Sequence, residues 1–143
     1  MCIEKMKDLS QTPIVDIGQN NNNRIWMKRE DLIPISFGGN KARKAIKFFE
    51  VIDAGDYDTV VTYGSSSSNH CRIVANMAVA RGMNCYIIGP EEASEETFNS
   101  RLMNLLDAEI TIVPVQEVHD TIENKLEELK KIGKKPYFIP GGV

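Results

Sequence analysis

The chain has 143 residues, a length that fits one compact core and leaves no room for a second full domain. Hydrophobic residues make up 42% and charged residues 26%, the balance of a soluble globular protein, which excludes disordered, collagenous and membrane-spanning classes. Lys and Arg number 17 against 20 Asp and Glu, a net charge of −3 that offers no broad cationic face, so nucleic acid is not an expected partner.

From the amino terminus, MCIEKMKDLSQTP contains no apolar stretch of signal-peptide or anchor length, and no later run is long enough to span a bilayer. Cys2, Cys71 and Cys85 are odd in number, widely spaced and without a CxxC pair, the usage of a reduced compartment; a cytoplasmic location is expected. Four consecutive asparagines in QNNNNR suit a turn or loop tip, and the apolar-rich residues 25–30 that follow predict a strand, with Trp26 as a packing residue. Over residues 40–53 the apolar positions Ala42, Ala45, Ile46, Phe49 and Ile52 form one helical face, with Gly55 just beyond.

The β-branched runs TVVTYG (59–64), NCYIIG (84–89), EITIVP (109–114) and PYFIP (136–140) predict four strands buried on both faces. Between them lie three helical patterns, expected to start near residues 69, 95 and 116. Ile73, Val74, Met77 and Ala78 stripe the first; Phe98, Leu102, Leu105 and Leu106 the second; Val118, Ile122, Leu126, Leu129 and Ile132 the third. Gly82 and Gly133 close the first and third of these. Buried strands alternating with helices predict a parallel sheet with right-handed crossovers, a three-layer αβα architecture. The acidic group Glu91, Glu92, Glu95 and Glu96 reads as a solvated loop and helix start, and Cys71 and Cys85 as small buried hydrophobes.

Ligands of such a sheet collect at the carboxyl ends of its strands, where free N–H groups of helix N-termini favour anions. Two loops stand out there. After the first long strand comes Gly64-Ser65-Ser66-Ser67-Ser68-Asn69-His70, a glycine, four hydroxyls, an amide and an imidazole ahead of an apolar helix. Such a turn suits a carboxylate or phosphate; equally, Ser67 or Ser68 does no more than cap the helix. The other is Phe37-Gly38-Gly39-Asn40-Lys41, a glycine pair feeding a helix with a lysine in its first turn. A helix dipole disfavours a cation at that end, and a neutral amine is what imine chemistry needs; the plain alternative is a solvated lysine beside Arg43 and Lys44. His70 and His119 have no carboxylate or cysteine at metal spacing, so no metal site is expected. A flavodoxin-like nucleotide site would need a longer glycine pattern than Gly38-Gly39.

In order and spacing, KREDLIPISFGGNKARK (28–44), TVVTYGSSSSNHCRIVANMAVARGMNCYIIG (59–89), NSRLMNLLDAEI (99–110) and PYFIPGG (136–142) resemble the amino-terminal half of a known family. It is the 1-aminocyclopropane-1-carboxylate deaminase and D-cysteine desulfhydrase family of pyridoxal-phosphate enzymes, within the tryptophan-synthase-beta-like fold. The resemblance implies that Lys41 carries pyridoxal 5'-phosphate as a Schiff base, that Asn69 contacts the cofactor's 3-hydroxyl, and that Ser68 touches the substrate and handles a proton. Ser66, Ser67 and His70 are implied on the substrate side, where loop amides receive a carboxylate. It implies residues 1–39 as an amino-terminal segment of the large cofactor domain, 40–135 as the small α/β domain and 136–143 as the start of a return to the large domain.

Two departures stand out locally. Ser67 replaces a bulkier residue usual in the family, and Asp107 stands where glycine commonly precedes Ala-Glu, so the helix end there is expected to be strained or differently capped. A third departure is length: the resemblance stops near Pro140-Gly141-Gly142-Val143, ahead of the family's phosphate-binding loop and substrate tyrosines. The expected activity is that of a lyase or deaminase, or a fragment of one, acting on a small amino acid such as D-cysteine or 1-aminocyclopropane-1-carboxylate. A homo-oligomer or a complementing carboxyl-terminal half is the expected partner. The competing expectation is a catalytically silent, truncated or complementing fragment that serves as a binding module.

Overall fold

The computed structural model describes residues 11–141, so Cys2, Gly142 and Val143 lie outside it. The first element is a two-stranded antiparallel hairpin, β1 (Ile14–Asn20) and β2 (Asn23–Lys28). Its two-residue turn is Asn21-Asn22 at φ 45° and 62°, left-handed backbone that asparagine tolerates and that suits the twist of paired strands. The asparagine run is therefore the tip, as expected, and a strand that the sequence pattern does not predict enters it. A bulge between Asp16 and Gly18 breaks the alternation of β1, and the Asp16 carboxylate takes up the Gly18 N–H at 2.9 Å. Trp26 does not pack into the core. It is 55% exposed, with the Arg24 guanidinium 5.1 Å from its ring centre.

A second sheet is parallel throughout, in the order β5-β4-β3-β6. Its strands are β3 (Thr59–Tyr63), β4 (Asn84–Pro90), β5 (Glu109–Val113) and β6 (Pro136–Ile139). The helices are α1 (Asn40–Ala54), α2 (Asn69–Val79), α3 (Phe98–Leu105) and α4 (Val118–Lys131). Pleating sends Val60 and Ile87 to one face, where they join Phe49 of α1, Ile73 of α2 and Met103 of α3; Val61 and Ile88 face Val118, Ile122 and Leu129 of α4. The result is the expected αβα sandwich. All five stripe residues of α1 are buried. Full burial of a side chain such as Phe49 stabilises the fold by about 2–3 kcal/mol. Ile33 and Ile35, ahead of α1, are buried in the same cluster.

Burial on both faces holds for β3 and most of β4 only. The outer strands β5 and β6 are half-covered, because each has a neighbour on one side alone. Residues 136–139 pair with β3 and form the fourth strand of this sheet.

Three helices end by one device. Met83 N–H reaches the Ala78 carbonyl, Ala108 N–H reaches Met103 and Lys134 N–H reaches Leu129, each bond closing over a residue in left-handed backbone. Those residues are Gly82 at φ 68°, Asp107 at φ 53° and Gly133 at φ 82°. The strained termination expected at Asp107 is present, and the aspartate bears a conformation that its two counterparts leave to glycine.

Candidate active site

Lys41 lies in the first turn of α1, and the chain reaches it through an unusual turn. Ser36, Phe37, Gly38 and Gly39 occupy positive φ in succession, at 46°, 65°, 67° and 93°. The segment before it grips this turn: Gly39 N–H donates to the Glu30 carbonyl at 2.8 Å, and a Cβ on Gly38 would collide with the same oxygen. Only glycine fits there. Arg43 donates from Nη2 to the Glu30 carboxylate at 2.9 Å and holds that carboxyl below its ordinary range. Gly39 is the N-cap of α1 and no side chain caps the helix; Ala42 N–H closes on the Gly39 carbonyl at 3.1 Å, and the amides ahead of it face no capping side chain.

The second loop leaves the end of β3. Gly64 lets strand and helix approach closely, since a Cβ there would stand 2.8 Å from Cys71 Sγ and 2.9 Å from Ser68 Oγ. Ser68 is the N-cap of α2, its Oγ accepting from Cys71 N–H at 3.2 Å. It caps the helix and also lines a cleft of about 310 Å³ together with Lys41, Tyr63, Gly64, Ser65, Asn69 and His70. The lysine and the serine–asparagine loop thus open on one side of the domain. Ser66 and Ser67 do not line that cleft. Ser66 faces a neighbouring cavity of about 280 Å³, floored by Ile87, Met103, Ile110 and Ile112. Its carbonyl accepts from Thr97 Oγ1 at 2.6 Å, and that of Ser67 from Asn99 Nδ2 at 2.7 Å.

His70 is 2% exposed. Thr62 Oγ1 donates its proton to the Ile139 carbonyl at 2.8 Å, so it accepts from His70 Nε2 at 3.0 Å. That contact fixes the tautomer: the proton is on Nε2, and Nδ1 is a bare acceptor with no partner among the described residues. Burial, reinforced by the charges of Lys44 and Lys41, pushes the imidazole down to about 4, which leaves it neutral at pH 7. Burial likewise pushes the Cys71 thiol up to about 11 and Cys85 up to about 12, so both are inert packing groups, as expected.

Two residues outside the expected set organise Asn69. Its Oδ1 accepts from Arg72 Nη2 at 3.0 Å and from Asn99 Nδ2 at 3.1 Å. Arg72 lies three residues on along α2, a spacing readable in sequence. Asn99 comes from a distant helix and left no local signal.

A family model described as pyridoxal-phosphate dependent enzyme matches residues 6–143. The chain belongs to that family. Among curated relatives, the 1-aminocyclopropane-1-carboxylate deaminase of Bradyrhizobium diazoefficiens is 34% identical over 99% of this chain and 43% of its own length. A mitochondrial bifunctional D-cysteine desulfhydrase/1-aminocyclopropane-1-carboxylate deaminase of Arabidopsis thaliana is 33% identical over 87% of this chain and 34% of its own. A solved structure titled as an ACC deaminase homologue superposes with a TM-score of 0.78 at 28% identity, covering 96% of this chain and 46% of that one. The chain therefore spans less than half the length of the relatives it matches.

The residues lining the cleft fit pyridoxal phosphate, the cofactor of this family. A primary amine, a side-chain amide, an unpartnered imidazole nitrogen and an uncapped helix N-terminus suit a molecule that carries an aldehyde, a ring oxygen and anionic groups. Among the described residues no helix is long and apolar enough to cross a membrane.

Proposed function

We propose that this chain supplies the lysine-bearing part of a pyridoxal-phosphate-dependent lyase or deaminase acting on a small amino acid such as D-cysteine or 1-aminocyclopropane-1-carboxylate. The observation that carries the reading is the single cleft shared by Lys41 and the Ser68-Asn69-His70 loop. The relatives' names support the substrate class. When bound, the cofactor supplies an electron sink for bond cleavage next to the amino-bearing carbon.

On this reading each cleft residue has a distinct task. Lys41 Nζ is the covalent anchor, and Asn69 holds the ring oxygen. Ser68 Oγ accepts from Cys71 N–H, which leaves its own O–H free to turn toward the cleft and pass a proton. The N-terminus of α2 attracts the substrate carboxylate. Neutral His70 presents Nδ1 as an acceptor without adding a positive charge beside Lys41. Ser66 and Ser67 anchor the loop through their carbonyls and stay on the substrate side in this reading.

The same reading assigns residues 1–39 to a large domain and 40–135 to the small one, with 136–143 starting the return to the large domain after β6 has completed the small domain's sheet. It takes a homo-oligomer or a complementing carboxyl-terminal half as partner, and the cytoplasm, where free thiols persist, as the location.

Borohydride reduction in the presence of excess pyridoxal phosphate, followed by peptide mass mapping, tests the anchor. Lys41 is expected to carry the label ahead of the exposed lysines, and Lys41→Ala to lose it. Labelling that ignores Lys41 would refute the reading.

A further inference from the structure

We propose that Arg72 is a positioning residue that fixes the polarity of the Asn69 amide and ties it to the turn bearing Lys41, so that Asn69 offers the cleft a hydrogen-bond donor for an anionic ring oxygen. The inference rests on the reading of Lys41 as cofactor anchor given above. Its starting point is an amide whose orientation has one solution. Arginine has donors and no acceptors, so the Asn69 atom 3.0 Å from Arg72 Nη2 is the carbonyl oxygen. Asn99 agrees independently. Its side chain meets the Ser67 carbonyl at 2.7 Å, which requires the Asn99 nitrogen there, and the same nitrogen reaches Asn69 Oδ1 at 3.1 Å. With Oδ1 accepting twice, Nδ2 is the end of Asn69 left for the cleft that it lines.

Arg72 reaches in a second direction. Its Nη1 donates to both the carbonyl and the hydroxyl of Ser36, the latter at 2.9 Å, and Phe37 lays its ring 5.2 Å from the guanidinium carbon. Ser36 and Phe37 are the non-glycine members of the positive-φ turn that delivers Lys41. One planar fork therefore fixes the asparagine of one motif and the approach to the lysine of the other. Arg72 is 5% exposed, and among the described residues no carboxylate pairs with it. Burying an unpaired cation is costly. Here its charge is spent on polarising neutral acceptors and raising the potential around the cleft. Lysine, with a single nitrogen, cannot span Ser36 and Asn69.

The test has a cofactor-free arm and a cofactor-bound arm. In the 15N-labelled chain, Arg72→Gln is expected to shift the Asn69 side-chain amide resonances together with the backbone amides of residues 36–39. Unchanged resonances would overturn the grip. With excess pyridoxal phosphate, the absorbance of the Lys41-bound cofactor reads its protonation. A donor from Asn69 favours the form with an anionic ring oxygen, which absorbs in the visible; the neutral form absorbs in the near ultraviolet. The visible-to-ultraviolet ratio is expected to fall about tenfold in Arg72→Gln, the loss of one charge-assisted contact. Arg72→Lys should fall similarly; a ratio kept at the wild-type value would mean that charge alone matters and would overturn the positioning role.

Asn69→Asp guards against a failed fold. It keeps the acceptor toward Arg72 and Asn99 but puts a carboxylate oxygen where the N–H was, and is expected to lower the ratio at least as far. A ratio unmoved in Asn69→Asp, with Lys41 labelled, would overturn the polarity assignment. Absence of any Lys41 label in the wild-type chain would instead refute the proposed function, while the resonance arm still decides the grip.

Discussion

Acidifying the protein should weaken its fold in a window set by His70. The imidazole is buried, neutral and bonded through Nε2 to Thr62, and its folded pKa is pushed down to about 4 from an ordinary 6.5. The unfolded chain therefore takes up a proton at a pH where the folded chain does not. The contribution is fully present above pH 6.5 and is lost as the pH falls from 6.5 toward 4. One proton of difference gives a slope of about 1.4 kcal/mol per pH unit, so the loss between pH 7 and 5 is at most about 2 kcal/mol. The cleft beside the ring admits water, and screening reduces that figure to about 1–2 kcal/mol. Carboxylates such as Glu30 and Asp58 are held low by their partners and act below pH 4.5, so the upper half of the window belongs to the imidazole. Urea unfolding followed by far-ultraviolet circular dichroism at pH 7, 6 and 5 measures it. His70→Gln is the control, because its amide N–H can keep the Thr62 contact without titrating. Equal losses of stability in the two proteins over pH 7 to 5 would refute the reasoning.

Asp107→Gly relieves a left-handed residue that the ends of α2 and α4 assign to glycine, and is expected to raise stability by about 0.5 kcal/mol, read as a higher urea midpoint at unchanged slope. Gly38→Ala drives a methyl into the Glu30 carbonyl and strains a positive φ. It should cost about 2–3 kcal/mol and slow cofactor labelling of Lys41, whereas a neutral outcome in both assays would show that the turn rearranges freely.

Much of this was legible because its signals are local. The five-residue stripe of α1, the β-branched runs of β3 and β4 and the glycines after α2 and α4 each act over a few residues, and the parallel order follows from helix-length spacers between strands. What escaped depends on contacts between distant residues. A bulge at Gly18 hid β1, and Trp26 lies on a hairpin that the core does not cover. The serine loop reads as uniformly available, yet the carbonyls of Ser66 and Ser67 are held by Thr97 and Asn99, about thirty positions away. Arg72 has one partner in Ser36, 36 residues earlier, which no local pattern reveals.

The place of β3 in the sheet has a kinetic consequence. Its partner β4 follows after one helix, but its other partner, β6, arrives only after α2, α3 and α4 have been made, and Thr62 is separated from Ile139 by 77 residues. During synthesis the β5-β4-β3 side has every segment it needs while the other edge of β3 is still bare, and closing so long a loop is slow. Thr62 has no Ile139 carbonyl to donate to until then, so its hydroxyl is free to turn toward His70 and leave the imidazole tautomer unchosen. The His70 side of the cleft is therefore set only when residue 139 has emerged and docked, and a ribosome that pauses earlier holds a sheet with an open edge.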